Sequence, residues 1–153
     1  MRNEHAIAVI IPVLNEEASI GQVIEDIPDW VDDIIVVDNG SQDDTGPVAA
    51  THGARVVLEP QRGYGAACLC GIAALATPDI VVFLDGDYSD HPEEMALLVD
   101  PVIGGEVDMM IGSRVSGACE QGALTPQARF GNWLATRLIR LFWGTRYPAL
   151  GPF

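Results

Sequence analysis

Residues 6–17, Ala-Ile-Ala-Val-Ile-Ile-Pro-Val-Leu-Asn-Glu-Glu, form an apolar, largely β-branched run that breaks off at three polar side chains. Apolar residues at consecutive positions over 6–13, without in-and-out alternation, suit a strand covered on both faces. Residues 34–38, 55–58, 80–85 and 107–111 repeat that signature, and helical patterns lie between them at roughly 17–27, 45–52, 65–76 and 93–103. Strand and helix therefore alternate, which predicts an α/β protein with a mostly parallel sheet flanked by helices. Pro47 and Pro92 read as first-turn prolines, with polar residues just upstream able to cap the free N–H groups. Glycine-rich loops at 39–46 and 60–65 follow the second and third strands.

The 153 residues are enough for one core, so a single domain is expected. The 22 acidic and 8 basic residues give a net charge of −14, which argues against an unaided nucleic-acid or anionic-membrane binder. The charge is uneven: every acidic residue except Glu120 precedes Arg114, and five arginines lie from Arg114 onward. All the basic residues are arginines, whose planar fork suits phosphate and carboxylate. Cys68, Cys70 and Cys119 lack metal-type spacing and read as buried free thiols in a reducing compartment. The N-terminal apolar run has no small-residue cleavage site and is read as a strand, not a leader. No stretch reaches the roughly 18 uninterrupted apolar residues of a membrane span.

After residue 115 the pattern changes. Residues 116–128 are small and polar, expected as a mobile loop, and Phe130 to Trp143 follows as an amphipathic helix in the same domain. Its apolar residues Trp133, Leu134, Leu138, Leu141 and Phe142 recur at helical spacing beside Arg137, Arg140 and Arg146. Such a helix packs on a core or lies at a membrane surface. The closing Leu150-Gly151-Pro152-Phe153 stops in mid-pattern, which reads as truncation.

Ligands of open α/β sheets bind beyond the carboxyl ends of the strands. Asp85-Gly86-Asp87 lies at such an end, and if the backbone stays extended the two carboxylates share a side. Like charges held together call for a cation, and oxygen ligands of this kind suit Mg²⁺ or Mn²⁺ shared with a substrate phosphate. Read alone, the triplet is equally a turn. Asn15-Glu16 and Asp38-Asn39-Gly40-Ser41 end two other strands and put further acids and amides on the same rim. Gly63-Tyr64-Gly65 reads as a tight turn with close helix packing, and His91 as a helix-capping or loop residue.

Six blocks then stand in order: IIPVLNEE at 10–17, VVDNGSQDDT at 36–45, RGYGAACLCG at 62–71, DGDYSDHPEE at 85–94, GSR at 112–114 and the terminal LGPF. Together they resemble the family 2 glycosyltransferases of the GT-A fold, particularly the polyprenyl-phosphate (dolichyl-phosphate) sugar synthases. The resemblance implies a Rossmann-like core over 1–115 that binds a UDP- or GDP-linked sugar, and an acceptor side over 116–153. It places Pro12, Leu14, Asn15, Glu16, Asp38, Gly40, Ser41 and Gly63 at the nucleotide sugar, with Asp38 at the base. Asp85, Gly86 and Asp87 would hold diphosphate and metal, Mg²⁺ or Mn²⁺, and Arg114 and Arg129 would grip phosphate.

Relatives carry an aspartate just before the terminal block, where this chain has Ala149. A phosphate monoester acceptor, with a second pKa of about 6, needs little help from a base. The resemblance thus implies inverting hexosyl transfer to a lipid-phosphate acceptor, in the cytoplasm with peripheral contact at the inner membrane face. Transfer to a sugar or other alcohol, or a weakened nucleotide-sugar-binding module, are the alternatives.

Overall fold

The computed structural model describes residues 1–112 and Arg137. The chain divides into two units, Met1–Asp108 and Met109–Phe153. Strands β1 (Ile7–Val13), β2 (Asp33–Asp38), β3 (Arg55–Leu58) and β4 (Ile80–Phe83) alternate with helices α1 (Ile20–Glu25), α2 (Thr45–Thr51) and α3 (Tyr64–Ala74). A 3₁₀ turn at Pro92–Glu94 and helix α4 (Ala96–Ile103) follow. The strands form one parallel sheet in the order β3-β2-β1-β4, with Ile10 beside Ile35 on one side and beside Phe83 on the other.

β1 is buried along its whole length because both its faces are covered. Ile7, Val9, Ile11 and Val13 point into a cluster with Ile20, Val23 and Ile24 of α1, Ala49 of α2 and Val99 of α4. Ile10 points the other way, with Ile35, Val37 and Ala67 of α3. The uninterrupted apolar run at 6–13 is the sequence image of this double burial.

Helix α3 sits close to the sheet. A Cβ built on Gly71 would stand 2.5 Å from Ile10 Cγ2 and 3.1 Å from Val37 Cγ2, both on fully buried residues. Helix propensity alone favours Gly71→Ala by about 1 kcal/mol, whereas overpacking costs roughly 1–3 kcal/mol. Ile10 and Val37 are fully buried, so we expect the overpacking to prevail and the variant to lose up to about 2 kcal/mol net in urea unfolding. A gain would mean that α3 shifts off the sheet freely.

Several expectations change. Residues 107–111 form no strand: Val107, Met109, Met110 and Ile111 are exposed, and an apolar run interrupted by Asp108 has no ladder partner among the described residues. Pro47 and Pro92 do lie in first turns, but neither Asp44 nor His91 caps through its side chain. Asp43 instead accepts the Thr45 N–H at 3.1 Å, and His91 Nδ1 lies 3.2 Å from Glu93 Oε1. Cys68 and Cys70 are free and half-buried, not buried. The loop at 116–128, Cys119 and the helix from Phe130 lie outside the described residues, apart from Arg137, which is helical and exposed.

Candidate active site

From β1 the chain steps outward to β2 and β3, then crosses back to place β4 on the other side of β1. The strand ends on either side of this reversal diverge, opening a crevice where ligands of such sheets bind. A cavity of about 330 Å³ lies there. Pro12, Val13, Leu14 and Glu16 line it from β1, Asn39 from β2, Arg62, Gly63, Tyr64 and Ala67 from the β3–α3 connection, and Asp85, Gly86 and Asp87 from β4.

Asp85 and Asp87 reach this cavity differently from the extended geometry expected. β4 ends at Phe83 and the chain turns through Gly86 and Asp87. The turn is tied by its own polar groups: the Asp85 N–H donates to Asp90 Oδ2 at 3.2 Å and the Ser89 N–H to Asp87 Oδ1 at 2.9 Å. Tyr88 takes φ +61, a region costly for a bulky residue, and its hydroxyl bonds Asp26 Oδ2 beyond α1 at 2.5 Å. Gly86 is packed so closely that a Cβ would lie 2.6 Å from Val13 Cγ1.

Asn15, Asp38, Gly40 and Ser41 are not among the cavity-lining residues. They brace the rim, Asp38 within the loop after β2 and Asn15 between that loop and the end of β1. Asp38 Oδ1 accepts the N–H groups of Gly40 and Ser41 at 3.1 and 2.8 Å. Asn15, in the left-handed region at φ +59, accepts the Gln42 N–H at 2.8 Å and donates its own N–H to Ser41 Oγ at 3.0 Å. Below them the buried Thr45 hydroxyl accepts the Glu16 N–H at 2.8 Å, fixing the residue that faces the cavity. Arg114 and Arg129 lie outside the described residues.

Asn39 was expected only as part of the polar rim, and Arg62, Tyr64 and Ala67 were not expected at the site. Asn39 is 6% exposed and fully engaged: Nδ2 donates to the carbonyls of Glu59 and Gln61 at 2.9 and 2.8 Å, and Oδ1 accepts the Gly63 N–H at 2.7 Å. It thereby hangs the β3–α3 loop on the end of β2. Gly63, at φ +132, makes a turn that an L side chain rarely adopts. Arg62 brings the cation to the lining, and the signal for it was available as the lone basic residue between Arg55 and Arg114. The Tyr64 phenol is pushed up to about 12, first by burial and then by the negative charge of Asp85, so it is neutral at working pH.

Among the described residues no three His, Cys, Asp or Glu side chains cluster as a self-contained metal cage. Two carboxylates facing a cavity are a different kind of donor set: Mg²⁺ and Mn²⁺ accept one or two carboxylates when substrate phosphate and water complete their shell. Asp85 and Asp87 fit such a shared site.

Comparison with known proteins places the chain in a class. The description of glycosyl transferase family 2 matches residues 8–150, and the chain belongs to that family. An uncharacterized glycosyltransferase of Mycobacterium tuberculosis is 44% identical over 109 residues, 71% of this chain and 49% of the relative. A low-salt glycan biosynthesis hexosyltransferase of Haloferax volcanii is 34% identical over 145 residues, 90% of this chain and 35% of the relative. The crystal structure of glucosyl-3-phosphoglycerate synthase from Mycobacterium tuberculosis, in complex with Mn²⁺, UDP-glucose and phosphoglyceric acid, superposes with a TM-score of 0.61 at 41% identity, covering 67% of this chain and 41% of that one. The fold is thus the α/β GT-A arrangement. The chain spans about half or less of the length of these relatives.

Proposed function

We propose that this chain is the donor-binding part of an inverting, divalent-metal-dependent hexosyltransferase using a nucleoside-diphosphate sugar, with UDP-glucose the first donor to test. The observation that carries this is the cavity at the β1/β4 switch point that Asp85, Asp87, Glu16 and Arg62 all line. The Mn²⁺ and UDP-glucose held by the 41% identical synthase support it.

In this reading Pro12, Leu14 and Glu16 take the nucleoside, while Asp38, Asn15, Gly40 and Ser41 set the shape of the rim that receives it. Asp85 and Asp87 hold Mg²⁺ or Mn²⁺ against the diphosphate, and the bound cation supplies charge neutralisation for the departing group. Arg62 offers a guanidinium fork to the same phosphates, which a chain of net charge −14 would otherwise repel. Tyr64, held neutral beside Asp85, can donate its O–H to a phosphate or sugar oxygen. Arg114 and Arg129 are assigned to the phosphate-bearing acceptor or the diphosphate.

The acceptor is one that carries a phosphate. A polyprenyl phosphate suits Ala149, because its own oxygen is the nucleophile and no base is required, and it suits the arginine-flanked amphipathic pattern at Phe130–Trp143, which would sit at a membrane surface. Among the described residues no helix is long and apolar enough to cross a membrane. A small hydroxy-acid phosphate is the second acceptor, favoured by the phosphoglyceric acid in the solved relative.

Incubating the full chain with Mn²⁺, UDP-glucose and either undecaprenyl phosphate or 3-phosphoglycerate separates the two by product mass. Glucolipid supports the first acceptor and glucosyl-phosphoglycerate the second. Absence of both products, with UDP binding intact, removes the phosphate-acceptor assignment.

A further inference from the structure

Ser19 occupies the N-cap of α1, where a serine ordinarily turns its oxygen back to accept a helical N–H. Here it makes no such bond. Its hydroxyl lies 2.7 Å from the carbonyl oxygen of Gly86, across 67 residues of chain, and 3.1 Å from Glu16 Oε2. A hydroxyl has one proton to donate, and the shorter distance assigns it to Gly86. That carbonyl belongs to the peptide joining Gly86 to Asp87. On its other side Gly86 is wedged against Val13 and Ile11 with no room for a side chain. A serine diverted from capping therefore clamps the peptide unit between the two carboxylates.

We propose that Ser19 is a positioning residue for the divalent-cation site: through the Gly86 carbonyl it sets the orientation of Asp87 relative to Asp85. The inference rests on the donor-site reading above and extends it to a residue outside the cavity lining. Metal geometry tolerates little rotation of a ligand-bearing peptide, and partners that orient ligands act on affinity without touching the cation.

The test is calorimetric titration of the full chain with UDP, with and without Mn²⁺, for the natural sequence, Ser19→Ala and Ser19→Thr. We expect Ser19→Ala to weaken Mn²⁺-dependent UDP binding about tenfold, to leave metal-free UDP binding within about twofold, and Ser19→Thr to restore most of the loss. Direct Mn²⁺ titration, followed by the paramagnetic relaxation of water protons, should show the same order. Unchanged Mn²⁺-dependent binding in Ser19→Ala overturns the assignment. So does an equal loss with and without metal, which would mark a helix-start defect. If the natural chain shows no Mn²⁺-dependent UDP binding, the donor-site reading itself falls and takes this inference with it.

Discussion

Asp87→Ala is expected to abolish the Mn²⁺-dependent part of UDP binding and to slow glucosyl transfer by about a thousandfold, equivalent to roughly 4 kcal/mol of barrier. The residue is exposed at the cavity and no core side chain leaves with it, so the loss of melting temperature should be small beside the loss of function. Asp87→Asn refines the experiment. Its amide oxygen can keep the Ser89 bond and the shape of the turn while the negative charge is lost. If charge is what the cavity uses, the asparagine variant should be nearly as impaired as the alanine one. Restoration of metal-dependent binding by asparagine would instead make Asp87 a turn residue.

Asn39→Asp should be the most damaging single-atom-scale change to the fold around the site. The side chain is buried, and its amide donates to two carbonyls of the β3–α3 loop. A carboxylate of the same shape cannot donate there, and it turns a negative oxygen towards both carbonyls. Leaving two acceptors unpaired costs about 3 kcal/mol, a fall in melting temperature of roughly 6–12 °C for a chain of this size. The introduced carboxyl would be held above its ordinary range, so the defect should be full above that raised value, shrink as pH falls through it, and be relieved only below the ordinary value of about 3.9, where both folded and unfolded states carry the proton. UDP affinity should drop too, since the loop carries Arg62, Gly63 and Tyr64. A melting curve within about 2 °C of the natural one would show that the loop finds its place without Asn39.

The strands legible in the sequence are those whose burial leaves a compositional mark. Ile7–Val13 and Ile35–Val37 sit at the centre of the sheet, where both faces need apolar side chains, and their runs are uninterrupted. Residues 107–111 show where the same mark misleads, since apolarity states a preference for burial and does not supply a ladder neighbour. At the site, the acids at strand ends were legible because the α/β pattern itself points to that rim. Arg62 stood out only as a lone arginine between Arg55 and Arg114, and Tyr64 not at all, because their place at the site comes from the loop conformation that Asn39 and Gly63 impose. Asp38, Asn15 and Ser41 are polar residues at the same rim whose described hydrogen bonds brace it: Asp38 ties its own loop, while Asn15 and Ser41 join the loops that follow β1 and β2. The Asp-Gly-Asp pair was readable as a pair, but the turn that presents it depends on Asp90, Ser89 and Tyr88.

The reversal of strand order also bears on how the protein reaches this state. β1 meets β2 across 25 residues, as in the Ile7 N–H to Asp32 bond, but meets β4 across 73, as between Ala6 and Asp79. Closing the longer loop costs roughly 1 kcal/mol more chain entropy, so β4 should dock late on the ribosome and in refolding alike. The nucleoside side of the cavity would then exist before the carboxylates arrive, and Mn²⁺ present during refolding should act only on the last phase, chiefly by slowing its reversal.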